Sequence, residues 1–62
     1  MAEWIGVAVG KMHMHKITQA ALAEKLGVRR DYLNRILAGK HEPKGIEERV
    51  MGAIAAIIED RG

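Results

Sequence analysis

The sequence contains no cysteine and no serine, and Thr18 is its single threonine. Without thiols, the chain can form neither a disulfide nor a thiolate metal site. With so few hydroxyl and thiol nucleophiles, covalent catalysis is also disfavoured. His41-Glu42 opens like a zinc-protease motif, but Gly45 stands where that motif needs its second histidine. We therefore expect no enzymatic activity, no metal site, and no cofactor or other small-molecule ligand.

Long apolar runs, internal repeats and low-complexity tracts are also missing. The apolar stretch over residues 4–9 is too short for a signal peptide or a membrane span. A chain of 62 residues has room for one small domain. We therefore expect a single domain over residues 1–62 that acts in the cytoplasm and does not bind a membrane.

The net charge of +2 is unevenly distributed along the chain. Residues 11–44 carry eight lysines and arginines against three acidic residues, which gives +5, and they also contain all three histidines. Residues 45–62 have a net charge of −2. A basic segment of this kind predicts a polyanionic partner such as nucleic acid. An ordinary basic surface would give the same pattern, so charge alone does not decide between the two.

Apolar residues recur at helical spacing along most of the chain, and we find no alternating pattern typical of strands. A first helix is expected over residues 2–14. The second begins after Thr18, a favoured N-cap residue, and ends at Gly27, which suits a left-handed helix end. The third is expected over residues 29–38 and the fourth over residues 46–60. The pattern predicts an all-α fold of about four helices.

The segment over residues 18–38, TQAALAEKLGVRRDYLNRILA, holds two of these helices. The connection between them is so short that the helices must cross at a steep angle, which is the helix-turn-helix arrangement. Ala23 supplies the small side chain needed at the crossing, and Gly27 supplies the positive φ of the turn. The apolar residues expected to pin the corner are Leu22, Leu26, Val28, Leu33 and Ile36.

These residues make the chain resemble the phage repressor and Cro type of helix-turn-helix protein, also called lambda repressor-like or XRE-type, over residues 17–43. The matching motifs are Thr18-Gln19, Leu22-Ala23, Leu26-Gly27-Val28, Ile36-Leu37 and Gly39-Lys40. The resemblance implies a lambda repressor-like bundle that binds double-stranded DNA in a sequence-specific manner. It also implies a transcriptional regulator of bacterial, phage or prophage type, acting as a repressor.

Three features depart from that family. Arg29 stands where a serine or threonine usually caps the third helix, so the helix start is expected to move by about one residue. Ala38 replaces an asparagine that often contacts phosphate. One longer C-terminal helix replaces several short ones, which leaves the dimer geometry open.

The resemblance places the helix over residues 29–38 in the major groove. The base-contacting positions of the family correspond to Arg29, Arg30, Asp31 and Arg35 in this chain. Arginine donates two hydrogen bonds to guanine, whereas Asp31 can accept from cytosine, hold a neighbouring arginine, or simply stabilise the helix N-terminus. Asn34 can contact adenine or only the DNA backbone.

A second set of residues is expected to contact the DNA backbone. The family places a glutamine at the start of the second helix on phosphate, and Gln19 occupies that position. Tyr32 either lays its hydroxyl on the backbone or closes the core with its ring. The full set is Lys16, Gln19, Tyr32, Lys40, His41 and Lys44.

The fourth helix has apolar residues over about 200° of its circumference, although packing on one core needs a stripe of little more than about 100°. The core side is expected to be Ile46, Val50, Ala53 and Ile57. The other side is expected to form a homodimer interface through Met51, Ile54, Ala55 and Ile58. Alternatively, the first helix with Trp4 covers the whole arc. The apolar C-terminal helix also supports a second functional hypothesis, a protein-binding module such as an antitoxin or accessory subunit.

Overall fold

A computed structural model describes residues 2–61. These residues form four helices and no strand, so the all-α prediction is confirmed. The helices are α1 (Glu3–Met14), α2 (Gln19–Leu26), α3 (Arg30–Leu37) and α4 (Ile46–Arg61).

The ends of α2 and α3 follow the local chemistry of the sequence. The hydroxyl of Thr18 accepts a hydrogen bond from the backbone N–H of Ala21 at 3.0 Å, so its predicted N-cap role is confirmed. Gly27 ends α2 with φ of +74°, which a glycine adopts without steric cost. Arg29 provides no side-chain cap, and α3 begins at Arg30, one residue later than the pattern predicted.

The turn between α1 and α2 contains an unusual backbone conformation. Lys16 has φ of +56° and is the one residue other than glycine with positive φ in the described part of the chain. The N–H of Ile17 donates to the carbonyl of Met12 at 2.8 Å and closes the helix end in the manner of a Schellman motif. Glycine usually occupies this position, so the turn keeps a lysine in spite of a local conformational cost.

The four helices enclose one apolar core. α4 packs against both α1 and α2, and α2 packs against α3. The predicted corner of the helix-turn-helix is present, with Leu22, Leu33 and Ile36 buried and Leu26 and Val28 half-buried against the core. The largest fully buried side chains are Leu22, Leu33, Ile36, Val50 and Ile54.

The predicted division of α4 into a core side and a dimer side is partly wrong. Ile54, expected on the dimer side, is only 1% exposed and belongs to the core, whereas Ile57 is half-buried at its edge. The reason is that α4 has helices on two sides, so its buried stripe is wider than contact with one neighbour requires. Met51 and Ile58 are also half-buried against the core, and only Ala55 is exposed.

Candidate nucleic-acid interface

α3 separates its apolar and polar residues cleanly. Leu33, Ile36 and Leu37 are buried against the rest of the bundle, as predicted. Every residue expected to contact bases is exposed, either on α3 or, for Arg29, directly before it. Those residues are Arg29, Arg30, Asp31, Asn34 and Arg35. An α-helix with its side chains is about 10–12 Å in diameter, which matches the width of the major groove of B-DNA.

An ion pair links two of these residues at the start of α3. Nε of Arg29 lies 3.4 Å from Oδ1 of Asp31, and both side chains are largely exposed, at 88% and 75%. An ion pair with this exposure contributes little to folding stability. The carboxylate and the guanidinium therefore lie side by side at the N-terminus of the helix. This arrangement matches the second of the three roles open to Asp31.

The start of α2 combines unpaired helical amides with a nearby cation. The hydroxyl of Thr18 accepts a hydrogen bond from the backbone N–H of Ala21. The other N–H groups in the first turn of α2 have no acceptor within the helix, as at any helix N-terminus. Gln19 is half-buried at the first position of α2, and exposed Lys16 lies directly before the capping residue. A helix N-terminus with a lysine beside it is well suited to bind a phosphate group.

The segment after α3 brings the remaining predicted residues together. Lys40, His41 and Lys44 are exposed. The Tyr32 ring is half-buried against the core and meets the His41 ring edge-on, with centroids 5.4 Å apart and an interplanar angle of 69°. Tyr32 therefore closes the edge of the core. The sequence offered no signal for its pairing with His41, because the two residues are separated by the end of α3.

Apart from Arg29, the lysines and arginines of this surface form no ion pair within residues 2–61. Among residues 2–61, the ion pairs are Arg29–Asp31 and Lys25–Asp60. Arg30, Arg35, Lys40 and Lys44 therefore have no carboxylate partner within that part of the chain. Lys25–Asp60 lies instead between the C-terminal ends of α2 and α4, where Arg61 also donates to the carbonyl of His15. These two contacts connect the C-terminal end of α4 to α2 and to the turn after α1. Sequence reasoning did not predict them.

Other kinds of site were sought in the same residues. The described part of the chain contains no pocket and no group of three or more residues able to hold a metal ion. None of the four helices is both long enough and apolar enough to cross a membrane.

A helix-turn-helix family model matches residues 13–47, which is more than half of the chain. The chain belongs to this family, the helix-turn-helix proteins of phage repressor and Cro type. The family consists of DNA-binding domains of transcription regulators and is not an enzyme family. No curated protein and no solved structure matches the chain. The fold and the match together define a DNA-binding domain of the transcription-regulator type.

Proposed function

We propose that this chain is a sequence-specific regulator of double-stranded DNA, a repressor of bacterial or phage type. The carrying observation is α3 with the residue before it, where three arginines, an aspartate and an asparagine are exposed while the helix buries its apolar residues. Residues near the N-terminus of a recognition helix contact base edges when the helix enters the major groove.

The three arginines have distinct positions in this proposal. Arg30 and Arg35 donate to the O6 and N7 atoms of guanine, which is the commonest specific contact in DNA complexes. Arg29 contacts a further base or phosphate from its position beside Asp31, with which it forms a 3.4 Å ion pair. Asn34 contacts adenine from the same exposed side. Together these residues would distinguish base pairs over a few steps of the duplex.

The backbone contacts lie on both sides of α3. Lys16 and Gln19 hold one phosphate at the N-terminus of α2. Lys40, His41 and Lys44 hold phosphates beyond the C-terminal end of α3. Tyr32 supports this second group from beneath, because its ring contacts His41 at the edge of the core. Such contacts orient the protein on DNA and carry no direct sequence information.

Two copies would act together. One short recognition helix covers only a few base pairs, and helix-turn-helix proteins usually place two such helices about 34 Å apart, one turn of DNA. A two-fold symmetric pair of chains then predicts an operator with inverted half-sites.

Selection of binding sites from a pool of random duplexes tests the proposal most directly. We expect an enriched inverted repeat that contains guanines, and binding to it should be much tighter than to scrambled DNA. Lys44→Ala should weaken binding to both duplexes and reduce the salt dependence by about one unit of slope. A pool without enrichment, together with salt-insensitive retention on DNA cellulose, would contradict the proposal. That result would favour a protein-binding module, although α4 exposes less apolar surface than such a module was expected to need.

A further inference from the structure

α1 carries large apolar side chains that remain exposed. The large hydrophobic residues that stay exposed in the described part of the chain are Val7, Val9 and Met14, at 52%, 45% and 77%. Val7 and Met14 share one side of α1 with Glu3 and Gly10, because the spacings of four, three and four residues keep them in line. α4 packs against the opposite side of α1, where Trp4, Ile5, Ala8 and Met12 are buried. We call Glu3, Gly6, Val7, Gly10 and Met14 the outer face of α1.

Two glycines on this outer face have space for a side chain. Gly6 and Gly10 are exposed, and a Cβ atom added at either position would meet nothing within 4 Å. Glycine inside a helix is less favourable than alanine. Packing within the chain therefore does not account for them. A residue without a side chain does permit close approach of a second helix.

The charges on α1 favour one kind of occupant. Glu3 lies in the first turn, and Lys11 and His13 lie in the last, all exposed. Neither Glu3 nor Lys11 takes part in an ion pair within residues 2–61. A second α1 running antiparallel would bring Glu3 of each copy towards Lys11 and His13 of the other, and two-fold symmetry would form this contact twice. A parallel arrangement would instead set like charges together.

We propose that two copies of the chain associate through their α1 helices, packed antiparallel along the outer face. Val7 of each copy then lies over Gly10 of the other, which fills the space left by the missing side chain. Glu3 of each copy faces the C-terminal end of the other α1. This inference specifies a surface for the proposed self-association and moves it from α4 to α1. It requires no DNA and can be tested without DNA.

Sedimentation velocity over a range of about 1–200 μM is the primary measurement, with the full chain in the absence of DNA. We expect the wild type to be a concentration-dependent dimer. Val7→Glu should raise the dimer dissociation constant by at least about tenfold, because a carboxylate would have to lose its hydration in the interface. Val9→Glu is the matched control, since Val9 lies on α1 outside the outer face, and it should leave the dimer intact.

The glycines provide a test in which folding and association respond in opposite directions. Gly10→Ala should raise the Tm by roughly 4 °C or more, because alanine is the better helix former, and should weaken the dimer. Gly52→Ala, at an exposed position on α4, should raise the Tm and leave the dimer unchanged. A loss of dimer in Gly10→Ala cannot then be attributed to unfolding.

Exchange of the charges tests the antiparallel arrangement. Glu3→Lys and Lys11→Glu should each weaken the dimer, and the double variant should recover it.

The inference is overturned by a wild type that remains monomeric throughout the range. It is also overturned if Val7→Glu stays dimeric while Ile58→Glu on α4 becomes monomeric. In that case the proposed self-association and DNA binding would still hold, but the dimer interface would lie on α4. Binding of a monomeric wild type to phosphatidylglycerol vesicles, lost in Val7→Glu, would equally contradict it.

Discussion

The α2–α3 unit and the α1–α4 pair satisfy their local structural requirements to different degrees. In α2–α3, Thr18 caps a helix, Gly27 allows a left-handed turn, and the apolar residues at the corner are buried. In α1–α4, a Cβ atom added at Gly6 or Gly10 would meet nothing within 4 Å, and the buried indole N–H of Trp4 has no hydrogen-bond partner within residues 2–61. Contacts within the chain therefore account for the residues of the α2–α3 unit better than for those of the α1–α4 pair.

Truncation of the shared core should have the largest effect. Leu33 is fully buried, so Leu33→Ala should cost about 2–5 kcal/mol of folding stability. A chain of this length has a total stability of only about 3–9 kcal/mol, so the variant should be substantially unfolded. Val9→Ala, on the exposed part of α1, should change stability by less than about 0.5 kcal/mol. Urea titration followed by circular dichroism measures both, and equal losses would contradict the burial difference between the two sites.

Removal of an arginine from α3 should affect DNA binding and leave folding unchanged. Arg30→Ala and Arg35→Ala should each lose about 1–3 kcal/mol on the selected site and relax its base preference. Their melting curves should match the wild type because both side chains are exposed. Arg49→Ala removes the same kind of side chain from an exposed position on α4 and is the control. Fluorescence anisotropy on selected and scrambled duplexes separates the two effects, and retained selectivity in both arginine variants would exclude this base-reading assignment.

Replacement of Lys16 by glycine should separate stability from binding at the junction of the two regions. Because Lys16 has φ of +56°, Lys16→Gly should stabilise the fold by roughly 1 kcal/mol. The same change removes a cation beside the N-terminus of α2 and should weaken binding to every duplex. Asparagine tolerates the left-handed conformation and carries no charge, so Lys16→Asn should also weaken binding. Thermal melts and salt titrations test this, and unchanged binding in both variants would leave Lys16 without a role in DNA contact.

Sequence patterns predicted the α2–α3 unit well because its requirements are local. A capping hydroxyl, a glycine at a left-handed turn and apolar residues three and four apart are visible within about ten residues. The division of α4 was less accurate because Ile54 is buried through contacts between distant helices, which no local pattern records. The contact of Tyr32 with His41 was missed because His41 lies in the irregular segment after α3, whose path helical spacing does not predict. The side chains expected to contact DNA could be placed on α3, but only binding experiments can assign their bases.

The smallest expected change in folding stability concerns Trp4 in the α1–α4 pair. Trp4 is buried, and its Nε1 atom has no partner among the described residues. A buried donor without an acceptor costs about 1–3 kcal/mol. Trp4→Phe removes this donor and some packing together, so the two effects should nearly cancel and leave stability within about 1 kcal/mol of the wild type. Trp4→Ala loses the ring as well and should cost about 3–5 kcal/mol. If Trp4→Phe destabilises the fold as strongly as Trp4→Ala in urea titrations, the indole N–H must have an acceptor in solution, and the contrast between the two regions would be smaller.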